Sequence, residues 1–143
     1  MRKKKWIAAA AAAVLLLALL FRPGPLDRAA ARVRSDPEAL TALAESIFAK
    51  GNAVGCEYPG VREITFYRES GWLEFRCGGA GFVPSASYYG FYYAPDAVPI
   101  GFQGAPAALV PDGAGWRWHE ADGDNWYYTE PVFDHWYVYE MHF

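Results

Sequence analysis

The chain has 143 residues, a formal net charge of −3 at pH 7 and an aromatic content of 17%. Its apolar content and its lack of long charged blocks exclude an intrinsically disordered protein. About 120 residues remain beyond the N-terminal hydrophobic segment, enough for one domain with its own core. The aromatic residues concentrate after Phe66 in short runs, which favours strands over helices.

Charge is distributed unevenly along the chain. Four basic residues lie at positions 2–5, which leaves nine basic and sixteen acidic residues elsewhere, a net charge of about −7. Beyond Cys77 the only basic residue is Arg117, against eight acidic residues. Because affinity for nucleic acid comes mainly from Lys and Arg at the phosphates, this composition excludes nucleic acid as a partner.

Residues 1–21 carry the strongest signal in the sequence. The basic residues 2–5 precede an unbroken apolar run, 6–21, which as a helix would cover about 24 Å, somewhat short of the ~30 Å hydrocarbon core. This pattern is typical of an uncleaved signal anchor or of a cleaved signal peptide. Bulky, charged and proline residues follow the run and disfavour cleavage, so we predict a single-pass anchor with a cytoplasmic N-terminus and an extracytoplasmic domain. Secretion after cleavage is the alternative.

Residues 22–34 are interpreted as a juxtamembrane linker. The linker contains Pro23-Gly24-Pro25, where a regular helix cannot continue. The Ala- and Arg-rich residues after it are compatible with a short amphipathic turn near the membrane surface. The extracytoplasmic domain is therefore predicted to comprise residues 35–143.

One amphipathic helix is predicted at the start of this domain. Ser35 and Glu38 have capping-box spacing, and Pro37 lies in the first turn. Lys50 and Gly51 end the helix with a cation in its last turn and a left-handed cap. The apolar residues between them form one stripe that we expect to pack on a sheet: Leu40, Leu43, Ala44, Ile47 and Phe48.

Cys56 and Cys77 are the only cysteines in the chain. An even number of cysteines in an exported domain predicts a structural disulfide, which would stabilise the fold by roughly 3 kcal/mol through its loop of about twenty residues. Two buried free thiols are the alternative. The spacing is not that of a C-x-x-C redox motif.

The remaining residues predict an α+β fold, with the helix packed on a curved antiparallel sheet of about five to six strands. A hairpin across Glu69-Ser70 should place Ile64 and Phe66 on one face with Leu73 and Phe75. The other predicted segments are a strand at 87–94, a loop or broken edge strand at 98–110, and a meander of strands at 116–120, 125–130 and 135–143.

The meander yields the prediction of a site. If the loop at 121–125 pairs Trp118 with Tyr128, even-numbered residues share one face of the sheet and odd-numbered residues share the other. We assign the Trp-rich even face to the core beneath the helix: Trp116, Trp118, Trp126, Tyr128, Trp136 and Val138. The odd face is the predicted ligand or partner face, because its side chains tolerate both water and a partner: Arg117, His119, Tyr127, Thr129, Tyr137 and Tyr139.

No catalytic residue, metal site or cofactor is predicted. Glu140 and His142 would share a strand face, but two ligands do not make a zinc site. The sequence therefore predicts a membrane-tethered, non-enzymatic interaction or accessory domain of the cell envelope, held in the membrane through residues 6–21. Its partner would be an envelope protein or a glycan. The alternatives are a carbohydrate-binding module that uses the aromatic face, and a small envelope enzyme or enzyme inhibitor.

Overall fold

The computed structural model describes residues 2–82, 84–105 and 107–143, with the side chains of 2–5, 8 and 9 left out. These residues form three α-helices followed by a seven-stranded antiparallel sheet, so the predicted α+β class is confirmed. The helices are α1 (Arg2–Leu20), α2 (Pro25–Ser35) and α3 (Pro37–Lys50). The strands are β1 (Glu63–Tyr67), β2 (Trp72–Phe82), β3 (Ser85–Tyr93), β4 (Val110–Asp112), β5 (Gly115–His119), β6 (Trp126–Phe133) and β7 (Trp136–His142).

Helix α1 contains the N-terminal apolar run, and its described side chains are exposed, with Trp6 76% and Leu20 73% accessible. Within the described part of the chain, no single helix has both the length and the hydropathy to cross a bilayer. The segment Ala10–Leu20 passes that test only together with α2, from which it is bent by 76°. The predicted membrane anchor therefore stays a prediction.

Helix α2 occupies most of the segment that the sequence assigned to a linker. Pro25 fits the first turn of a helix, where its missing N–H costs nothing, and the Asp27 carboxylate accepts the Gly24 N–H at 3.1 Å. Ala29, Ala30 and Val33 are buried in the core. Helix α2 thus packs as part of the folded domain.

Helix α3 begins and ends where the sequence predicts, but its N-cap differs. The Asp36 carboxylate accepts the Ala39 N–H at 3.1 Å and caps the helix. Ser35 is the last residue of α2, and its hydroxyl donates to the Arg32 carbonyl at 2.7 Å, so the predicted capping role of Ser35 is wrong. Gly51 closes α3 with a φ of 71°, as expected for a left-handed cap.

The strand order in the sheet is β1-β2-β3-β7-β6-β5-β4, which places β7 at the centre. The predicted hairpin is confirmed, since Ile64 lies opposite Phe75 and Phe66 opposite Leu73. Strand β4 forms one edge of the sheet and shares only Val110 with the segment 98–110 that was predicted as a loop or broken edge strand.

Both faces of the sheet are covered, by different kinds of structure. The face beneath α2 and α3, here called the helix face, contributes these residues to one core: Leu73, Phe75, Phe91, Trp136 and Val138. The opposite face, here called the loop face, lies under the irregular segment 94–109 and contributes these residues to a second core: Trp72, Tyr92, Tyr127, Tyr137 and Tyr139.

The predicted register between β5 and β6 is wrong by one residue. Trp118 lies opposite Tyr127, not Tyr128. The cause is the connecting loop, which is closed by a hydrogen bond from the Glu120 N–H to the Asn125 carbonyl at 3.0 Å. A slip of one residue moves every β5 side chain to the other face, so Trp116 and Trp118 pack against the loop-face core and not beneath the helices.

Candidate functional site

The six residues of the predicted partner face do not lie together at the surface. Tyr127, Thr129, Tyr137 and Tyr139 share the loop face, and each is at most 4% exposed. Arg117 and His119 point to the other side of the sheet because of the register of β5. The predicted exposed tyrosine face is therefore wrong, since its four central residues are buried in the loop-face core.

Arg117 is engaged in local contacts on the helix face. Its Nε donates to the Asp112 carboxylate at 2.5 Å, and its guanidinium lies 5.0 Å from the ring centre of Tyr128. An ion pair with this much solvent exposure contributes little to stability. These contacts account for the position of the Arg117 side chain. They do not indicate a ligand site.

Both cysteines are free thiols in this structure. Cys77 is buried in the helix-face core, and Cys56 is partly buried against the same core. Burial raises the pKa of Cys77 to about 11, although the neighbouring Arg32 guanidinium lowers it. The disulfide is not seen here and stays a prediction.

The loop face contains a cavity of about 270 Å³ between the sheet and the turn at 101–104. We call it the tyrosine cavity. Seven of its thirteen described lining residues are aromatic. Only one acidic side chain, Glu74, is present on that wall.

Alternation along β2 places the cavity residues. Trp72, Glu74 and Arg76 line the tyrosine cavity, whereas Leu73 and Phe75 between them are buried on the helix face. On the opposite side of the cavity the chain must approach Trp72 closely. Gly104, with a φ of 72°, permits this approach, because a Cβ there would lie 3.0 Å from the indole ring.

The Glu74 carboxylate is held by two phenols. Tyr67 donates its hydroxyl to Oε2 at 2.8 Å, and Tyr139 donates to Oε1 at 2.5 Å. Among the described side chains no cation lies within 4.0 Å of this carboxylate. Arg76, the only basic residue on the wall, pairs with Glu63 and lies 5.5 Å over the Tyr88 ring. The direct contacts of this carboxylate among the described side chains are therefore hydrogen bonds from neutral phenols.

The cavity phenols are held in their neutral form. Burial, followed by the hydrogen bond to Glu74, raises the pKa of Tyr67 well above its ordinary value. Burial and the Glu74 charge raise the pKa of Tyr139 further. Burial also raises the pKa of Tyr92 and Tyr127. All four phenols therefore stay protonated near neutral pH, and none is poised to serve as a base or nucleophile.

Two tyrosine hydroxyls attach the covering segment to the sheet. The Tyr92 hydroxyl accepts the Ile100 N–H at 3.0 Å and contacts the Thr129 hydroxyl at 2.8 Å. Tyr137 donates its hydroxyl to the Ala97 carbonyl at 2.6 Å. These bonds fix the segment that forms the outer wall of the cavity.

This wall also contains one unsatisfied hydrogen-bond donor and one residue in a strained backbone conformation. Trp72 is only 5% exposed, and its Nε1 has no hydrogen-bond partner in the described part of the structure. Gln103 adopts a φ of 52°, a left-handed conformation that is uncommon outside glycine. Strain of this kind is characteristic of ligand-binding segments.

Sequence reasoning missed Glu74 and the covering segment. Glu74 and Arg76 lie at alternate positions with Trp72 on one face of β2. This alternation along β2, with Tyr67 of β1 opposite Trp72, is the signal that could have revealed Glu74 among the aromatic rings.

Comparisons of the chain with protein families, curated proteins and solved structures give no match.

Proposed function

We propose that the chain is a membrane-tethered, non-enzymatic accessory domain of the cell envelope that binds a small ligand in the tyrosine cavity. The observation that carries the proposal is the cavity itself, an aromatic enclosure with a few convergent polar groups, which is the usual composition of a small-molecule site. Its 270 Å³ is just below the ~300–1,000 Å³ typical of such sites, which fits a compact ligand.

The chemistry of the wall supports binding over catalysis. Both oxygens of Glu74 accept phenol hydrogen bonds, so this carboxylate is positioned as an acceptor. The surrounding phenols have raised pKa values and stay protonated near neutral pH. A pocket of neutral donors around one carboxylate is suited to recognition.

Membrane attachment through α1 is supported by its exposed apolar surface. Helix α2 has its apolar residues buried in the domain, which leaves α1 as the segment available to a bilayer. The basic residues at 2–5 would extend to the cytoplasmic headgroups, and local thinning of the bilayer would accommodate a short span. Secretion after cleavage remains the alternative localisation.

The position of α2 indicates which side of the domain would face the membrane. Pro25, at the start of α2, lines the same surface depression as Gly79 and Ala80 of the β2–β3 hairpin. Phe82, near the tip of that hairpin, is 92% exposed. The hairpin and the end of α1 thus lie on one side of the domain, which fits an interfacial location for Phe82.

A second candidate function is carbohydrate binding, now in the tyrosine cavity and not on an exposed sheet face. The unpartnered Nε1 of Trp72 favours it, because a buried indole N–H can donate to a sugar hydroxyl while aromatic rings stack on the sugar ring.

Membrane attachment is tested by fractionating cells that express the full chain and washing the membranes with high salt. We expect the protein in the washed membrane and its C-terminal domain accessible to protease from the outside. Leu16→Lys, within α1, should release the protein into the soluble fraction. Val54→Lys makes the same kind of change in an exposed loop and should leave it in the membrane. Release of both variants or of neither would contradict attachment through α1.

Ligand binding in the cavity is tested by a thermal-shift screen of small metabolites on the full chain in a neutral, sugar-free detergent. A ligand that raises the melting temperature of the wild type should have no effect on Met141→Trp, which fills the cavity. Val110→Trp, at the exposed edge strand, is the matched control and should respond like the wild type. A response retained in Met141→Trp would place binding outside the cavity and contradict the proposal.

A further inference from the structure

We infer that the ligand of the tyrosine cavity is a small organic cation, an ammonium compound that also carries an oxygen acceptor. The inference rests on the proposed ligand-binding function and specifies its ligand class. Three features of the wall carry it: a carboxylate without a cationic partner, an enclosure of aromatic rings, and a buried donor without an acceptor.

The carboxylate is the first feature. Glu74 is half-buried, accepts one phenol hydrogen bond on each oxygen and has no basic side chain within 4.0 Å among the described residues. Two neutral donors stabilise a carboxylate but leave its net charge in place. Because water is partly excluded from the cavity, that charge attracts a cation more strongly than an exposed carboxylate would. A positively charged ligand would complete the ion pair that the protein leaves open.

The aromatic enclosure is the second feature. Tyr127 and Tyr139 stack with ring centres 6.2 Å apart, and Tyr92 lies 6.3 Å from Tyr139. The faces of such rings carry partial negative charge, and aromatic side chains that line a site are common partners of ammonium groups. The cavity rim already contains one contact of this type, between the Arg76 guanidinium and the Tyr88 ring.

The unpartnered indole is the third feature. Trp72 stacks on Tyr67 with ring centres 4.1 Å apart, which fixes the indole plane. Its Nε1 is buried beside Gly104 and has no acceptor among the residues that the structure describes. An oxygen on the ligand, at the end remote from its ammonium group, would accept this hydrogen bond.

Other ligand classes fit these features less well. An anion would meet the Glu74 charge, and the one basic group on the wall, Arg76, is already paired with Glu63. A divalent metal ion requires several oxygen ligands, whereas the wall offers a single carboxylate. A neutral sugar would use the rings and the indole but would leave the carboxylate charge without a counter-ion.

The decisive experiment is calorimetric titration of the full chain, in a polyoxyethylene detergent without sugar or charge. The probes are choline and its uncharged isostere 3,3-dimethylbutan-1-ol, which has the same shape and the same hydroxyl. We expect saturable choline binding at least about 10-fold tighter than binding of the isostere, a difference of about 1.4 kcal/mol. This comparison uses the wild type and does not depend on the folding of a variant.

A pair of variants localises the effect. Glu74→Gln keeps a carbonyl acceptor for one phenol and offers an amide N–H to the oxygen of the other, but it removes the charge, so choline affinity should fall about 10-fold or more. Glu130→Gln removes a carboxylate that also accepts a tyrosine hydroxyl, that of Tyr128 at 2.8 Å, but lies outside the cavity. It should leave choline affinity unchanged.

The outcomes separate this inference from the proposed function. Equal affinity for choline and the isostere, or saturable binding of methyl glucoside in place of choline, would overturn the cation and retain a cavity that binds ligands. Choline binding that is insensitive to Glu74→Gln would also overturn it. If every probe that binds does so equally well to Met141→Trp, the cavity is not the site, and the proposed function fails with the inference.

Discussion

The two faces of the sheet are both buried, but their cores are built differently. On the helix face the rings of Phe75, Phe91 and Trp136 contact one another with centres 5.0 to 5.8 Å apart. On the loop face the rings belong mainly to tyrosines, and their hydroxyls bond to Glu74, to Thr129 and to the backbone of the covering segment.

The difference follows from what covers each face. A helix satisfies most of its own backbone hydrogen bonds, so α2 and α3 can lie on a purely apolar surface. The irregular segment 94–109 has backbone groups that need partners, and tyrosine provides both a ring for the core and a hydroxyl for the backbone. The polar groups that such a cover requires are also the groups that can recognise a ligand. We therefore expect the helix face to contribute most of the stability, and the proposed ligand binding belongs to the loop face.

The two faces of the sheet should differ most in their response to alkaline pH. The cavity tyrosines have folded-state pKa values above the ordinary value of 10.0, whereas in the unfolded chain they titrate near it. Their contribution to stability is therefore complete below pH 10 and is lost progressively as the pH rises towards the folded-state values. We expect tyrosinate absorbance to appear together with loss of the fold. Titration of all tyrosines near pH 10 in a protein that remains folded would contradict buried, hydrogen-bonded phenols.

Truncation on the helix face should have the largest effect of any single substitution. Phe75 is fully buried and stacks on Phe91 at 5.0 Å. Phe75→Ala should lower the free energy of unfolding by about 3–5 kcal/mol, measured by chemical denaturation, because it removes a large apolar side chain and leaves a cavity. Val54→Ala, at a position 86% exposed, should change it by less than about 0.5 kcal/mol. Similar effects of the two substitutions would show that the helix face is not the main source of stability.

The predicted Cys56–Cys77 bridge would add to the stability of the helix face. Protein isolated from an oxidising compartment should contain no thiol that reacts with an alkylating agent after denaturation. Reduction should then lower the free energy of unfolding by roughly 3 kcal/mol. Two alkylated cysteines without prior reduction would favour the free thiols seen in the structure and would remove the disulfide from the description of the domain.

On the loop face, loss of one tyrosine hydroxyl should increase the mobility of the covering segment 94–109 more than it destabilises the fold as a whole. Tyr92→Phe removes the acceptor for the Ile100 N–H and the contact with Thr129, at an expected cost of about 1–3 kcal/mol. Limited proteolysis should show faster cleavage within 94–109. The control Tyr128→Phe also removes a tyrosine hydroxyl bond, but outside this cover, and should leave the cleavage rate unchanged. Equal cleavage of both variants would mean that Tyr92 does not hold the segment.

The parts of the fold that could be predicted are those specified by local patterns. Pro37 in the first turn, the Gly51 cap and one apolar stripe predict α3, and alternation around a short turn predicts the hairpin of β1 and β2. The register of β5 could not be predicted to within one residue. It depends on the length of the loop between β5 and β6, which is closed here by the hydrogen bond from the Glu120 N–H to the Asn125 carbonyl. For α2 the sequence indicated only a short amphipathic turn, and its length and packing were not predicted because the residues that it buries are few and small, Ala29, Ala30 and Val33.

The candidate site was predicted in part. Tyr127 and Tyr139 belonged to the predicted ligand face, and both line the tyrosine cavity, although from a buried position. Their burial was not foreseen, because the segment that covers them has no periodic pattern and makes its contacts through backbone groups and tyrosine hydroxyls. Glu74 was not foreseen because its role depends on Tyr139, which is distant in sequence and adjacent only in the folded sheet.

The most direct test of binding at the loop face is a nuclear Overhauser experiment with tetramethylammonium, whose equivalent methyl protons give a single intense signal. Cross-relaxation with the ring protons of Tyr67, Tyr92 and Tyr139 is the expected result, since Tyr67 and Tyr139 bond to the Glu74 carboxylate and Tyr92 lines the same cavity. Cross-relaxation confined to exposed rings such as Phe82, or absent from every aromatic ring, would contradict a binding site on the loop face.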